Sequence, residues 1–371
     1  MSTFIIRLES KGSGPRLAVK DLIDMAGLPT TAGCKAVADR AQPATIDAPC
    51  LAGARAAGAR IVGKVNLHEL AFGGTGLNPW FGNPVNPLDP SRIPGGSSSG
   101  SAVAVATDEA DVAYGSDTGG SVRTPSACCG TAGLKTTWGR VSLEGVWPLS
   151  QSLDTVGPMA RDVAGLVVGM QLLEPGFTVS ASTPQVVGRF RGLAADPALE
   201  AALDRVLETS ELEVLDVELP GWPGAIQAGV TVLIAEAWRN DHHLLDDHPE
   251  GLGDDVRARL GFGRDVDDGV LAQTKARRDE WRAELATAFT RVEAIALPTL
   301  VMFPPRIGES GDETVVSNVP VNFAGHPSLA LPIPSGQALP ASMQLVGPDG
   351  AEERLLALGR IIEGAAASVN P

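Results

Sequence analysis

The sequence predicts an α/β fold. Two observations carry this: short β-like runs alternate with helix-like runs through the first half, and residues 196–290 are mostly helical in pattern. The first strand-like run is Leu17-Ala18-Val19. Ala48–Ala59 is rich in alanine and reads as a helix leading directly into the strand candidate Arg60–Gly63. Ser99–Thr107 is a small-residue helix opening on a glycine-serine turn, and Ala110–Ser116 follows as a strand, an order of βαβ type. Pro184–Gly188 is a further strand. In the helical middle, Trp281, Leu285 and Phe289 recur at a spacing of four and so share one face. Leu300–Leu345 returns to β-like segments punctuated by proline, and Glu352–Glu363 is an amphipathic closing helix. No internal repeat, low-complexity tract or obvious linker interrupts this order. The simplest organisation is one domain over residues 1–371 with a mostly helical insertion at about 196–290; a boundary near Asp196 is the alternative.

Composition narrows the setting. With 371 residues and 44% hydrophobic content the chain can bury a large core. Its 29 Lys and Arg stand against 44 Asp and Glu, a net charge of -15, which repels a phosphate backbone and argues against nucleic acid as a partner. Cys34, Cys50, Cys128 and Cys129 show neither CxxC spacing nor a disulfide framework, which favours a reducing compartment. The N-terminal run Phe4-Ile5-Ile6 is too short for a signal segment. Val163–Leu173, the longest apolar run, is too short to span a bilayer and is broken by Gly165, Gly169 and Gln171. A soluble, cytoplasmic protein is the expectation.

The stretch IPGGSSSGSAVAVATDEADVAYGSDTGGSVRTPS, residues 93–126, carries the chemistry. It sets two glycine-serine turns on either side of a short apolar segment. Ser121 sits where a strand turns sharply into Thr124-Pro125, a helix start that tolerates proline, with glycine amides free to face a developing oxyanion. An ordinary glycine-serine turn is the simpler alternative. A phosphate-cradling loop is weaker, because the Gly-x-x-x-x-Gly-Lys-Ser/Thr pattern is missing.

A nucleophilic serine needs a proton acceptor, and the five histidines are poor candidates. His242, His243 and His248, in RNDHHLLDDHPE, read as a solvated acidic face, with a metal site as the alternative; His68 and His326 are isolated. Lys20 follows Leu17-Ala18-Val19 and reads either as the exposed end of a strand or as a base. To act as a base it must be neutral, and holding a lysine of ordinary pKa uncharged at pH 7 costs about 4.6 kcal/mol. Only burial or positive neighbours offset that.

Taken in order, VKDLID, GKVNLHELAFGGTGLNPWFGNPVNP, GGSSSGSAVAVA, GSDTGGSVRTPS, CCGTAGLK, SLDTVGPMARDV, NFAGHPSLALP and LPASMQLVGP resemble the amidase signature family across Val19–Gly347. The resemblance implies a central mixed β-sheet covered by helices on both faces, and a Ser-cisSer-Lys triad. The matching positions are Ser121 as nucleophile, Ser97 as the relay on a cis peptide, and Lys20 as base. It also implies an oxyanion hole from the amides of Thr118, Gly119, Gly120 and Ser121, and a substrate loop at Phe72, Gly73, Gly74 and Thr75. Neither cofactor nor metal is implied.

The activity implied is amide hydrolysis: the C–N bond of a small carboxamide is cleaved to a carboxylic acid and ammonia or an amine through a Ser121 acyl-enzyme. The two serine turns look most similar to indole-acetamide-type hydrolases, which points to an aryl- or alkyl-acetamide. Alternatives are a glutaminase subunit of an amidotransferase, an esterase, and a non-catalytic binding protein of the same fold. Partners are then a small-molecule amide and, as an open expectation, a second copy in a homodimer, with no nucleic acid and no membrane. Asp117 and Arg123 are expected to pair and hold the nucleophile turn, Ser98 and Ser99 to cap or line the next helix, and Cys128 and Cys129 to fill space. Three departures from the family pattern stand out. Helices that precede the lysine in many relatives are absent before Lys20, Lys135-Thr136-Thr137 replaces Lys-Pro-Thr, and Ala341-Ser342 replaces Val-Gly.

Overall fold

A computed structural model describes residues 2–9, 12–309 and 311–369. The strands are β1 (Phe4–Arg7), β2 (Arg16–Lys20), β3 (Arg60–Val65), β4 (Val112–Asp117), β5 (Ala132–Lys135) and β6 (Thr155–Ala160). They continue with β7 (Val186–Phe190), β8 (Glu213–Val217), β9 (Ala294–Pro298), β10 (Ser328–Ile333) and β11 (Ala341–Val346). The helices are α1 (Lys35–Ala38), α2 (Ala52–Ala56), α3 (Ser99–Ala106), α4 (Arg123–Cys129), α5 (Val163–Leu173) and α6 (Pro197–Thr209). After these come α7 (Trp222–Asp247), α8 (Asp254–Gly261), α9 (Asp268–Phe289), α10 (Val319–Ala324) and α11 (Glu352–Ser368).

All the strands join one sheet in the order β1-β3-β2-β4-β6-β5-β10-β11-β9-β7-β8. It is mixed: β2 lies parallel to β3 and β4, β7 lies parallel to β8 and β9, and the other pairs are antiparallel. One half of the sheet comes from residues 4–160 and the other from 186–346, meeting where β5 pairs with β10.

Alternation along the strands explains why both faces are covered. Leu17, Val19, Val112 and Tyr114 enter one apolar cluster, while Ala18 and Ala113 enter another with Ala104 and Val105 of α3. In β9, Ala294 and Ala296 pack with Leu203 of α6 and Ile362 of α11; Ile295 and Leu297 pack with Trp222 of α7 and Phe323 of α10. A strand buried on both faces reads as a continuous apolar run, which is how Ala294–Pro298 reads. Trp281 and Leu285 are buried in the same cluster as Trp222 and Phe289 packs against it, so the spacing of four marks one face of α9.

Helix ends follow local chemistry. Asp196 accepts a hydrogen bond from the Ala198 amide ahead of Pro197, and Asp267 accepts from Val270, so α6 and α9 start on carboxylate caps. Gly130 and Gly325 end α4 and α10 in the left-handed region, at φ +68° and +85°.

Several elements differ from the sequence expectation. Within Ala48–Ala59 only Ala52–Ala56 is α-helical, after a 3-10 turn at Pro49–Leu51. The mostly helical stretch contains β8, an edge strand whose residues are largely exposed and so lack an apolar alternation. Between Leu300 and Leu345 lies α10, where Pro320 occupies the first turn and lacks only an N–H that has no partner there. Among the described residues no helix is long and apolar enough to cross a membrane.

Candidate active site

Because β2 and β4 are parallel neighbours, their C-terminal ends finish on the same side of the sheet, where crevices form in α/β folds. Lys20 ends β2; Ser116 and Asp117 end β4. Lys20 is fully buried, and its Nζ donates to Ser97 Oγ at 2.7 Å and Ser116 Oγ at 2.9 Å. Burial pulls its pKa down to about 7, against the opposing fields of Asp117 and Asp154.

Ser97 sits in the loop before α3 and follows a cis peptide, Gly96–Ser97. Its carbonyl accepts from the His68 amide at 2.9 Å, and the Gly96 amide donates to the Gly74 carbonyl at 2.7 Å. A Cβ at Gly96 would lie 2.7 Å from the Gly73 carbonyl oxygen and from the Gly76 nitrogen, so two glycine loops pass there in direct contact. The Ser98 amide donates to the Ser121 carbonyl at 3.1 Å, which holds the two serine turns side by side. Ser98 precedes α3 without a side-chain cap; its hydroxyl donates to the Ser116 carbonyl at 3.2 Å.

The turn carrying Ser121 is built around the Asp117 carboxylate. It accepts from the amides of Gly120 at 2.9 Å, Val122 at 3.1 Å and Arg123 at 3.3 Å. The Arg123 guanidinium grips both its oxygens, at 3.0 and 2.8 Å, and Asn322 Nδ2 donates at 2.9 Å. Burial alone would raise this carboxyl, yet Arg123, Lys135 and Asn322 hold it well below the usual carboxylate range. Asp117 and Arg123 therefore pair as the sequence predicts. Gly120 has φ +119°, and a Cβ there would fall 2.7 Å from Asn318 Cβ. Its amide also departs from the expected oxyanion set, because the buried carboxylate needs donors and takes it. Among the described residues no hydrogen bond engages the amides of Thr118, Gly119 or Ser121. The Thr118 hydroxyl donates to Asp154 Oδ1 at 2.6 Å.

Ser121, Thr118 and Gly119 border a cavity of about 470 Å³. Phe72, Gly73 and Gly74 line it as expected. Thr75 does not; its hydroxyl is turned to His68 Nδ1 at 3.2 Å. Leu149, Leu233 of α7 and Val319 of α10 add apolar wall, and a Cβ on Gly119 would lie 3.2 Å from Val319 and 3.3 Å from Leu233. Asp255, Ala258, Arg259 and Phe262 follow a spacing of three, one and three, so one face of α8 and the residue after it form the outer wall. That helix is anchored where Asp255 meets His68 Nε2 at 3.0 Å and the Gly253 amide meets Glu69 at 2.8 Å.

Sequence reasoning missed Ser116, Asp154 and the walls from α7 and α8. Asp154 stands inside the motif SLDTVGPMARDV with nothing local to mark a role, and apolar positions on an amphipathic helix look the same whether they face core or cavity. No group of three or more His, Cys, Asp or Glu is placed to hold a metal ion among the described residues. His242 Nδ1 donates instead to the Trp238 carbonyl at 2.8 Å, and His248 lies 3.8 Å from Glu250.

The family model described as Amidase matches residues 13–356. The A subunit of glutamyl-tRNA(Gln) amidotransferase from Halobacterium salinarum is 33% identical over 404 residues, covering 94% of this chain and 95% of the relative. The protein of that name from Thermus thermophilus is 34% identical over 405 residues, covering 96% and 85%. Among solved structures, a crystal structure of an amidase superimposes with a TM-score of 0.89 at 34% identity, covering 95% of this chain and 84% of that one. The glutamyl-tRNA(Gln) amidotransferase chain from Thermotoga maritima gives 0.82 at 27% identity, covering 97% and 86%.

Proposed function

The chain belongs to the amidase family, an enzyme family acting on amides, and from that premise we propose that it hydrolyses a small carboxamide through an acyl-enzyme on Ser121. The observation that carries this reading is the buried hydrogen bond from Lys20 to Ser97, set behind a nucleophile turn that borders the cavity. Once Lys20 is neutral, that bond can reverse and the Ser97 hydroxyl donates to the amine lone pair. Ser97 then takes the Ser121 proton as Ser121 Oγ attacks the amide carbon. The amides of Thr118, Gly119 and Ser121 face the oxyanion. The proton returns through Ser97 to the leaving nitrogen, the C–N bond breaks, and water releases the carboxylic acid by the same route.

The lining bears on the acyl group. Leu149, Leu233 and Val319 surround the nucleophile turn, while among the described residues the charged lining, Asp255 and Arg259, lies on α8. An apolar acyl group such as an aryl- or alkyl-acetamide suits these walls better than the zwitterion of glutamine, whose charges would lose hydration there. The glutaminase reading is supported by the names of the relatives, which are subunits of an amidotransferase. The enzyme is further proposed to work in the cytoplasm as a homodimer. Ammonia release from acetamide, phenylacetamide and L-glutamine, alongside acid release from methyl phenylacetate, tests the choice of substrate. Phenylacetamide is expected to lead; preference for glutamine moves the assignment to the glutaminase, and turnover of the ester alone moves it to an esterase.

A further inference from the structure

The relay from Lys20 to Ser121 does not use Asp154, although that residue ties the Thr118 turn to the Leu149–Ser150 segment. It is 5% exposed. Oδ1 accepts from the Thr118 hydroxyl at 2.6 Å, and Oδ2 accepts from the amides of Leu149 and Ser150, both at 3.0 Å. Leu149 is cavity wall, and the Ser150 hydroxyl continues to Glu236 of α7 at 2.6 Å, the helix that supplies Leu233. One carboxylate thus spans the turn that presents the oxyanion amides and the strap that shapes the acyl wall. Among the described residues it forms no ion pair, and burial pushes it up to about 7. Such a group is expensive to keep where stability alone is served.

We propose that Asp154 is a positioning residue for acyl transfer: by fixing Thr118 to the Leu149–Ser150 strap it sets the direction in which the amides of Thr118 and Gly119 face the cavity. This rests on the acyl-enzyme reading above. A turn of threonine and two glycines is loose by itself, and an oxyanion donor is effective only when it already points at the charge that develops. Asp154 also acts on the base through space, since its negative charge favours the protonated form of Lys20. Among the described residues the other charge acting on Lys20 is Asp117, which is paired with Arg123 and lies in the field of Lys135, and Glu236 and Asp241 are acidic neighbours of Asp154.

Labelling of Ser121 by a fluorophosphonate tests this without a known substrate: the serine oxygen bonds to phosphorus, fluoride leaves, and the rate reports both base and oxyanion hole. Asp154→Asn is expected to label roughly 10- to 100-fold more slowly, because its amide nitrogen would confront the donors at Leu149 and Ser150 or Thr118. Its pH limb should move to lower pH, as a negative charge near Lys20 is removed. Thr118→Val should slow labelling similarly, and Thr118→Ser should restore most of the rate. Folded Thr118→Val that labels within about twofold of the parent overturns the proposal, whether or not Asp154→Asn folds. A parent enzyme that does not label, or a Ser121→Ala variant that does, overturns the acyl-enzyme reading and this proposal with it.

Discussion

Replacing Lys20 by arginine keeps a cation and much of the stem but removes the ability to become neutral, so Lys20→Arg is expected to be nearly inactive though folded, read as turnover against unfolding midpoint. In the parent, kcat/KM should climb with pH through a limb near 7 and level off in the alkaline range, because burial sets Lys20 at about that value and only its neutral form accepts a proton. The limb belongs to the coupled relay, and a flat profile between about pH 5.5 and 8.5 would sink the lysine base. At this scale the two glycine-serine turns stand out in the sequence as a dense motif, whereas the residue pattern alone leaves Lys20 open between a strand end and a base, and it joins the proposed triad only through the family resemblance. Ser116 and Asp154 were not legible as site residues. Their roles arise from β4 and β6 lying side by side, where Asp117 pairs with Thr155, and pairing of that kind leaves no local mark.

The strand–turn–helix unit of β4 and α4 depends on one buried ion pair. Arg123 and Asp117 have no exposed side-chain surface, and removing the guanidinium leaves a carboxylate in the interior with only neutral donors in direct contact. Arg123→Ala is therefore expected to destabilise by about 3 to 5 kcal/mol, read by urea unfolding, with loss of activity in the fraction that folds. A loss under about 1 kcal/mol would show that the amides and Asn322 suffice. Elements with a strong local signal were read well: α3 begins on its glycine-serine turn, and α9 shows its apolar spacing. The edge strand β8 was hidden because Glu213 and Val214 face solvent, and α10 because the proline-punctuated stretch Leu300–Leu345 reads as β-like, while a first-turn proline such as Pro320 also opens a helix.

Across the molecule, buried ionisable groups give stability an uncommon pH dependence. Lys20 and Lys135 are lowered to about 7 in the fold by burial, against ordinary values of 10.5. Between those pH values the unfolded chain holds protons that the native state lacks, so stability rises with pH there. Asp154 and Asp241, raised to about 7, act oppositely, and their loss of stability falls mainly between about pH 4 and 7. The net expectation is a gain of about 2 kcal/mol from about pH 7 to 8.5, seen as a higher Tm, and reduced in Lys135→Met. A Tm that falls over that window would contradict the burial of both lysines. The fold class was legible from alternating elements, whereas the strand order was not, since long-range pairing is decided by packing after the elements form. That order has a further consequence. Since residues 4–160 and 186–346 each build a contiguous half of the sheet, and Ala181–Thr183 between them is exposed, the chain should tolerate being cut in two there. Fragments ending and beginning near Ser182, expressed together, are expected to find each other along the β5–β10 edge and restore hydrolysis, while neither alone would: the first brings the three residues of the proposed triad, and the second brings the walls from α7, α8 and α10 that complete the receptacle.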